Sequence, residues 1–320
     1  MPVQLLLGPQ SPKPILGAVV AEHGLAKGPV AVISAAWQEA EGDIGELAEV
    51  VNAPLVNLQL YRRAERIFAE DPDLYRAYRR RQDRLMELQS LYRLRLRQGL
   101  QAARQVRRAD APPQLLRAEE EHAIGQVRAL DRHHLKQVEH IFADVDADIR
   151  DNQSVASARE EIEAEINGCE TVIITGGHVL VLLNRLQLFG LRPLLAARNL
   201  VAWSAGAMVL SDRVVLYHEE IPQRRRDPEL LCTGLGIVPN HVLLPHASRR
   251  LRVIEDLRKR HYTIRFLPAR CVTLDNGSVL RFDSGQLSLS HQVSYLRPDG
   301  TLAPLDVAAN SEHKAPEGAP

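Results

Sequence analysis

One ten-residue stretch holds residue types that could do covalent chemistry: Asn199-Leu-Val-Ala-Trp-Ser-Ala-Gly-Ala-Met208. An apolar run that reads as a strand leads directly into Ser204, and its neighbours Ala202, Ala205 and Gly206 are small. A nucleophile elbow requires this composition, because its serine sits on a strained strand-to-helix turn where larger side chains would collide with backbone. The helix that follows aims its first N–H groups at the serine, where they favour developing negative charge. Such a serine needs a general base, and the base an orienting acid. Of the downstream histidines, His246 stands where the apolar run Leu243–Pro245 ends and a helix begins, the place where open α/β sheets carry their sites. His241 falls earlier and reads as structural. Glu219 and Glu220, behind the short strand Val214–Tyr217, are the candidate acids; Asp212 is a weaker choice because it lies so close to the serine. The interval from Ser204 to His246 is much shorter than α/β-hydrolases use, which disfavours that fold.

These residues need elements to position them. Val3–Leu7, Val30–Ser34 and Leu55–Leu60 read as strands, with helices at Ile15–His23 and Ile44–Val51 between them. The rhythm returns with a helix at Ala156–Ile166, a strand at Thr171–Thr175, a Gly176-Gly177 turn and a helix at Val179–Phe189. Strands alternating with helices predict a mostly parallel sheet sandwiched by helices. From Cys271 to Pro298, short apolar runs separated by Asn-Gly and Ser-Gly turns predict a C-terminal antiparallel meander.

Between residues 61 and 150 no strand is expected. Leu85, Leu88, Tyr92 and Leu96 recur at helical steps, and the pattern resumes after Pro112-Pro113 with Leu116, Ala123, Val127 and Leu130. Two long helices broken by a Pro-Pro turn predict an inserted antiparallel hairpin with arms of roughly 50 Å. Eleven arginines against Asp83 and Glu87 give the first arm, Arg76–Arg108, a net charge of +9. Five basic and nine acidic residues give Ala109–Arg150 −4. Arms of opposite sign could pair within one chain, join two copies into a homo-oligomer, or remain solvated faces. The expected division is an α/β domain over 1–60 and 151–304, the hairpin over 61–150 and a disordered tail over 305–320.

Forty basic and forty acidic residues cancel. Neutrality argues against a surface built throughout for nucleic acid or anionic membrane, and no apolar run reaches the roughly 18 residues of a membrane span. Cys169, Cys232 and Cys271 are dispersed, without zinc-ligand spacing, and fit a reducing cytoplasm. His122, His133, His134 and His140 lack the carboxylates that would complete a metal set, and neither metal nor cofactor is expected.

Taken together, Thr175-Gly-Gly-His178, Ala202-Trp-Ser-Ala-Gly-Ala207, Gly234-Leu-Gly-Ile-Val-Pro239 and Pro245-His246 followed by arginines resemble one family. It is the serine peptidase family of dipeptidase E and cyanophycinase, within the class I glutamine amidotransferase-like superfamily, and the resemblance covers about residues 1–60 and 155–303. It implies a flavodoxin-like α/β fold with Ser204 as nucleophile, His246 as base and Glu219 or Glu220 as acid. It also implies an oxyanion hole from the Gly176-Gly177 turn and the Ala205 N–H. Superfamily amidotransferases carry Cys at the elbow and a downstream His-x-Glu, so glutaminase chemistry is not expected.

The chain departs from the pattern at His178 and Val179, which replace the Gly, Asn, Asp or Gln that help shape the substrate site, and at Ala202, which replaces Gly. The resemblance carried by these motifs does not extend over the hairpin. His178 is either a substrate contact or a helix-start residue. Arg249 and Arg250 either bind a substrate carboxylate bidentately or face solvent. The expected function is hydrolysis of a peptide or isopeptide bond in small or acidic peptides through an acyl-enzyme. A silent scaffold that binds partners through the hairpin is the alternative.

Overall fold

In the computed structural model the run Val30–Ile33 is a strand with every side chain buried, as a parallel strand covered on both faces must be. The structure describes residues 2–150, 152–216, 227–251 and 256–307, the side chains of 145–148 and 150 excepted. Strands β1 (Val3–Leu7), β2 (Val30–Ile33) and β3 (Leu55–Asn57) alternate with helices α1 (Leu16–Glu22) and α2 (Gly45–Val51). Four helices follow without a strand: α3 (Leu60–Glu70), α4 (Pro72–Arg108), α5 (Pro113–Arg150) and α6 (Gln153–Asn167). Then come β4 (Thr171–Ile174), α7 (Val179–Leu188), α8 (Arg192–Ala196), β5 (Asn199–Trp203) and α9 (Ala205–Leu210). The ribbon β6 (Arg213–Leu216) and β7 (Glu229–Thr233) precedes β8 (His241–Pro245), α10 (Ala247–Leu251) and α11 (Asp256–Phe266). Five strands close the described chain: β9 (Arg270–Leu274), β10 (Val279–Asp283), β11 (Gln286–His291), β12 (Ser294–Leu296) and β13 (Leu302–Pro304).

The main sheet has the order β11-β10-β1-β5-β4-β2-β3, parallel from β1 to β3 and antiparallel at β10 and β11. Within it, β3-β2-β4-β5 repeats the first four places of the flavodoxin order, and β1 takes the fifth. The fold is α/β, with a mostly parallel sheet. Alternate residues separate its two faces: Leu6, Ile33, Ile174 and Ala202 enter one apolar cluster, while Leu5, Leu7, Val32, Ile173 and Trp203 enter the other.

The expected strand Leu55–Leu60 stops at Asn57. Gln59 turns into the left-handed region, with φ 48°, its N–H on the Asn57 side chain. The buried carboxylate of Glu41 then accepts from the Tyr61 and Arg62 N–H groups and starts α3. Residues 60–70 are therefore a helix of their own, packed against α6 and α7. The hairpin helices begin at Pro72, where Asp71 caps α4 by accepting from the Leu74 N–H.

The hairpin lies along the body. Leu74, Ala77, Tyr78 and Val138 join the core of the main sheet. Tyr92, Leu96, Leu100, Ile124 and Val127 pack in a second core with Val242 and Leu244 of β8 and Tyr262 and Phe266 of α11. The oppositely charged arms pair within the chain at Arg84–Asp144, 2.9 Å.

The C-terminal strands divide between two sheets. β10 and β11 extend the main sheet at β1, whereas β9, β12 and β13 join β8 in a sheet of four, with β8 and β9 parallel. Apolar alternation marks a strand but not its partner, which is why the expected meander divides between two sheets. Leu305 is buried and its N–H donates to Val293 O. Residues 308–320, on which most of the expected tail falls, lie outside the described residues. Among the described residues no helix is long and apolar enough to cross a membrane.

Candidate active site

Ser204 stands between β5 and α9 with φ 50° and ψ −113°, a region that non-glycine residues rarely occupy. Its N–H donates to Leu7 O at 3.2 Å, and its carbonyl accepts from the Met208 N–H at 3.0 Å. The residue thus ends one ladder and starts one helix, and its side chain is half-buried. A methyl group at Gly206 would lie 2.3 Å from Ile174 O, so only glycine lets α9 cross the end of β4. Ala202 is fully buried.

The loop after β4 runs beside the serine. A Cβ at Gly176 would lie 3.1 Å from Ser204 Cβ. Gly177 adopts φ 135°, and a Cβ there would meet Ala36 O at 2.7 Å. Thr175 N–H donates to Ile33 O and His178 N–H to Ala36 O, both 3.0 Å, which ties this loop to the end of β2. Strand order reverses between β2 and β4, the point where open α/β sheets form their crevice. His178 is exposed and caps α7, its Nδ1 accepting from the Val181 N–H at 3.3 Å.

His246 follows β8 with φ 58°. Its N–H donates to Leu274 O at 3.1 Å and its carbonyl accepts from the Arg250 N–H at 3.1 Å, which starts α10. Asp275, next along β9, accepts from Ser248 N–H and Oγ, each 2.9 Å. A Cβ at Gly8 would fall 1.7 Å from Asp275 O, and the preceding residue, Leu7, is the one that holds Ser204. The ends of β1 and β9 therefore link the serine turn to the histidine turn, and α9 packs against β8.

Ser204, Gly176, Gly177 and Ala205 come together at one end of the main sheet, with His246 at the same end of the neighbouring sheet. Among the described residues the Ser204 hydroxyl forms no hydrogen bond, to His246 or to any other group. Serine–base hydrogen bonds are often long before substrate binds. Arg249 is exposed and Arg250 half-buried on α10. Glu219, Glu220 and Arg252 lie outside the described residues. His241 is structural: it is buried, its Nδ1 lies 2.7 Å from Pro239 O, its ring packs edge-on against Phe282, and burial lowers its pKa. Asp212 accepts from the Asn240 N–H at 2.7 Å, a turn contact.

Sequence reasoning missed Gln38. It has φ 57° and ψ −122°, almost the backbone conformation of Ser204, two residues beyond the Ala36 carbonyl that borders Gly177. Glutamine carries no preference for positive φ, so no residue type marked this position. Asp275 was missed as well, since the sequence marks only the Asn-Gly turn that follows it. Cys169, Cys232 and Cys271 are all buried, and burial raises each thiol pKa, that of Cys232 to about 12. None is poised as a thiolate nucleophile.

No curated protein matches the chain. One solved structure similar to it is the crystal structure of a peptidase from an acI-B1 Actinobacterium, at 14% sequence identity and a TM-score of 0.45, covering 93% of this chain and 91% of that one. The profile of peptidase family S51 matches residues 126–290, just over half of the chain, from the second hairpin arm through β11. The chain belongs to peptidase family S51 and is a serine-type peptidase.

Proposed function

We propose that Ser204 is the nucleophile of this peptidase and His246 its general base, with Glu219 or Glu220 orienting the imidazole. The observation that carries the reading is the backbone of Ser204, a non-glycine residue held at φ 50° between a strand and a helix. Strain of this kind costs on the order of 1–3 kcal/mol, persists only where the surrounding structure enforces it, and clusters at active sites. In the proposed reaction Ser204 Oγ attacks the scissile carbonyl carbon while His246 takes the hydroxyl proton. The oxyanion is received by backbone N–H groups of the Gly176-Gly177 turn and of Ala205. Collapse breaks the C–N bond, His246 returns the proton to the leaving amine, and water hydrolyses the acyl-enzyme by the same route.

The substrate class we propose is small or acidic peptides, joined by a peptide or isopeptide bond. Arg249 and Arg250 follow the base on α10 and supply cationic groups for a carboxylate. His178, exposed beside the proposed oxyanion turn, is a second candidate contact. A fluorophosphonate probe tests the reading: the native chain is labelled and folded Ser204→Ala is not. Labelling that persists in Ser204→Ala removes this serine from the mechanism. An unreactive native chain with no hydrolysis across a peptide library returns the hairpin-scaffold alternative.

A further inference from the structure

We propose that the helical hairpin is a positioning strut for the active site, holding the β6–β7 ribbon in register against the serine and histidine elements. The proposal rests on the catalytic reading of Ser204 and His246. Each residue from Asp227 to Leu231 takes a polar contact from the hairpin or from α11. Arg104 makes a two-pronged pair with the Asp227 carboxylate at 2.9 and 3.2 Å, and Arg258 reaches the same carboxylate at 2.9 Å. Arg265 donates to Pro228 O at 2.8 Å. Arg93 pairs with Glu229 at 2.6 Å, and Gln89 bridges Glu229 and Leu230 O. The Leu230 N–H donates to the Tyr92 hydroxyl, and His134 Nε2 lies 3.3 Å from Leu231 O.

Tyr92 is itself held. Its hydroxyl donates to Asp131 at 2.8 Å and accepts from Arg265, and its ring stacks on His134 at 4.1 Å. Arg265, Asp131, Tyr92 and Glu229 are all buried. Buried ion pairs gain little stability over an apolar core, and their better-attested use is to select one arrangement. A two-stranded ribbon is marginal without outside support. Among the described residues β6 pairs only with β7, and β6 packs against both α9, which begins behind Ser204, and β8, which leads into His246. The contacts therefore run from the hairpin to β7, then β6, then the two elements bearing the proposed nucleophile and base. In sequence, the connection between β6 and β7 contains Glu219 and Glu220.

The test uses the full-length chain and variants Arg104→Ala, Arg104→Lys and Tyr92→Phe, the last removing a single hydroxyl. Arg84→Ala breaks an arm-to-arm pair that includes no ribbon residue and serves as control. Two quantities are measured at a temperature where thermal melts show every variant folded. They are the rate of Ser204 labelling by a fluorophosphonate as a function of pH, and hydrogen–deuterium exchange in residues 213–216 and 229–233. Misplacement of a catalytic group by about 1 Å costs up to about 100-fold. Arg104→Ala and Tyr92→Phe are therefore expected to slow labelling at least about tenfold and to raise exchange in the ribbon but not in β2 or β4. Arg104→Lys restores part of the rate, and Arg84→Ala changes neither quantity. Labelling at the native rate in Arg104→Ala and Tyr92→Phe, or ribbon exchange that does not move, overturns the strut while leaving the serine reading intact. A native chain that is not labelled overturns the serine reading, and the strut's catalytic role with it.

Discussion

Replacing Ser204 by glycine should make the protein more stable as it destroys the proposed nucleophile. Ser204 sits at φ 50° and ψ −113°, where a side chain costs on the order of 1–3 kcal/mol and glycine costs nothing sterically. Glycine gives back about 0.5–1 kcal/mol through the greater freedom of the unfolded chain. The hydroxyl makes no hydrogen bond among the described residues, so its loss adds little. The net expectation is a gain of about 1 kcal/mol for Ser204→Gly and a change near zero for Ser204→Ala, which keeps the strain. In a chain of this length 1 kcal/mol corresponds to roughly 1.5 °C in melting temperature. Urea unfolding, read by circular dichroism at fixed pH, resolves the three proteins more directly. The predicted order is Gly above Ala, with Ala level with Ser. Glycine no more stable than alanine would refute the claim that backbone strain is stored at this residue.

Gly206→Ala forces a methyl group to within 2.3 Å of Ile174 O, and because that atom is backbone in a buried strand it cannot swing away. A loss of about 3 kcal/mol in urea unfolding is expected, together with loss of probe labelling. Arg265→Met leaves Asp131 buried without its cation, and should cost about 3–5 kcal/mol; a loss below 1 kcal/mol would contradict the buried network. Burial lowers the pKa of His134, His241 and His261 from the ordinary 6.5. A depressed histidine pKa means that the folded state favours the neutral ring. Its stabilising contribution is complete above about pH 6.5 and is lost as pH falls through that value toward the folded pKa. Unfolding free energy should decline from pH 7 to pH 5, and His134→Phe, which retains the stack on Tyr92, should flatten the slope. A pH-independent unfolding free energy over this range would contradict it.

The strands that position the serine were legible because a parallel sheet buries both faces, and Val30–Ile33 and Thr171–Ile174 can satisfy that demand only as apolar, β-branched runs. The Ser204 turn was legible for a related reason: Gly206 marks a place where backbone passes too close for a larger side chain. The docking of the hairpin was not. Helical periodicity shows which face of α4 is apolar, but Arg93 and Arg104 look solvated until Glu229 and Asp227, more than a hundred residues away, are brought to them. Gln38 was invisible because its strain belongs to the backbone rather than to its residue type. Sequence does not choose between Glu219 and Glu220 because they are adjacent residues of the same type.

The most direct measurement is a crystal structure of the chain after reaction with a fluorophosphonate. Phosphorus is expected bonded to Ser204 Oγ, with its non-bridging oxygen within about 3 Å of N–H groups from Gly176-Gly177 and Ala205 and a ring nitrogen of His246 beside Oγ. A phosphonylated residue other than Ser204, or an oxygen turned away from those N–H groups, would contradict it.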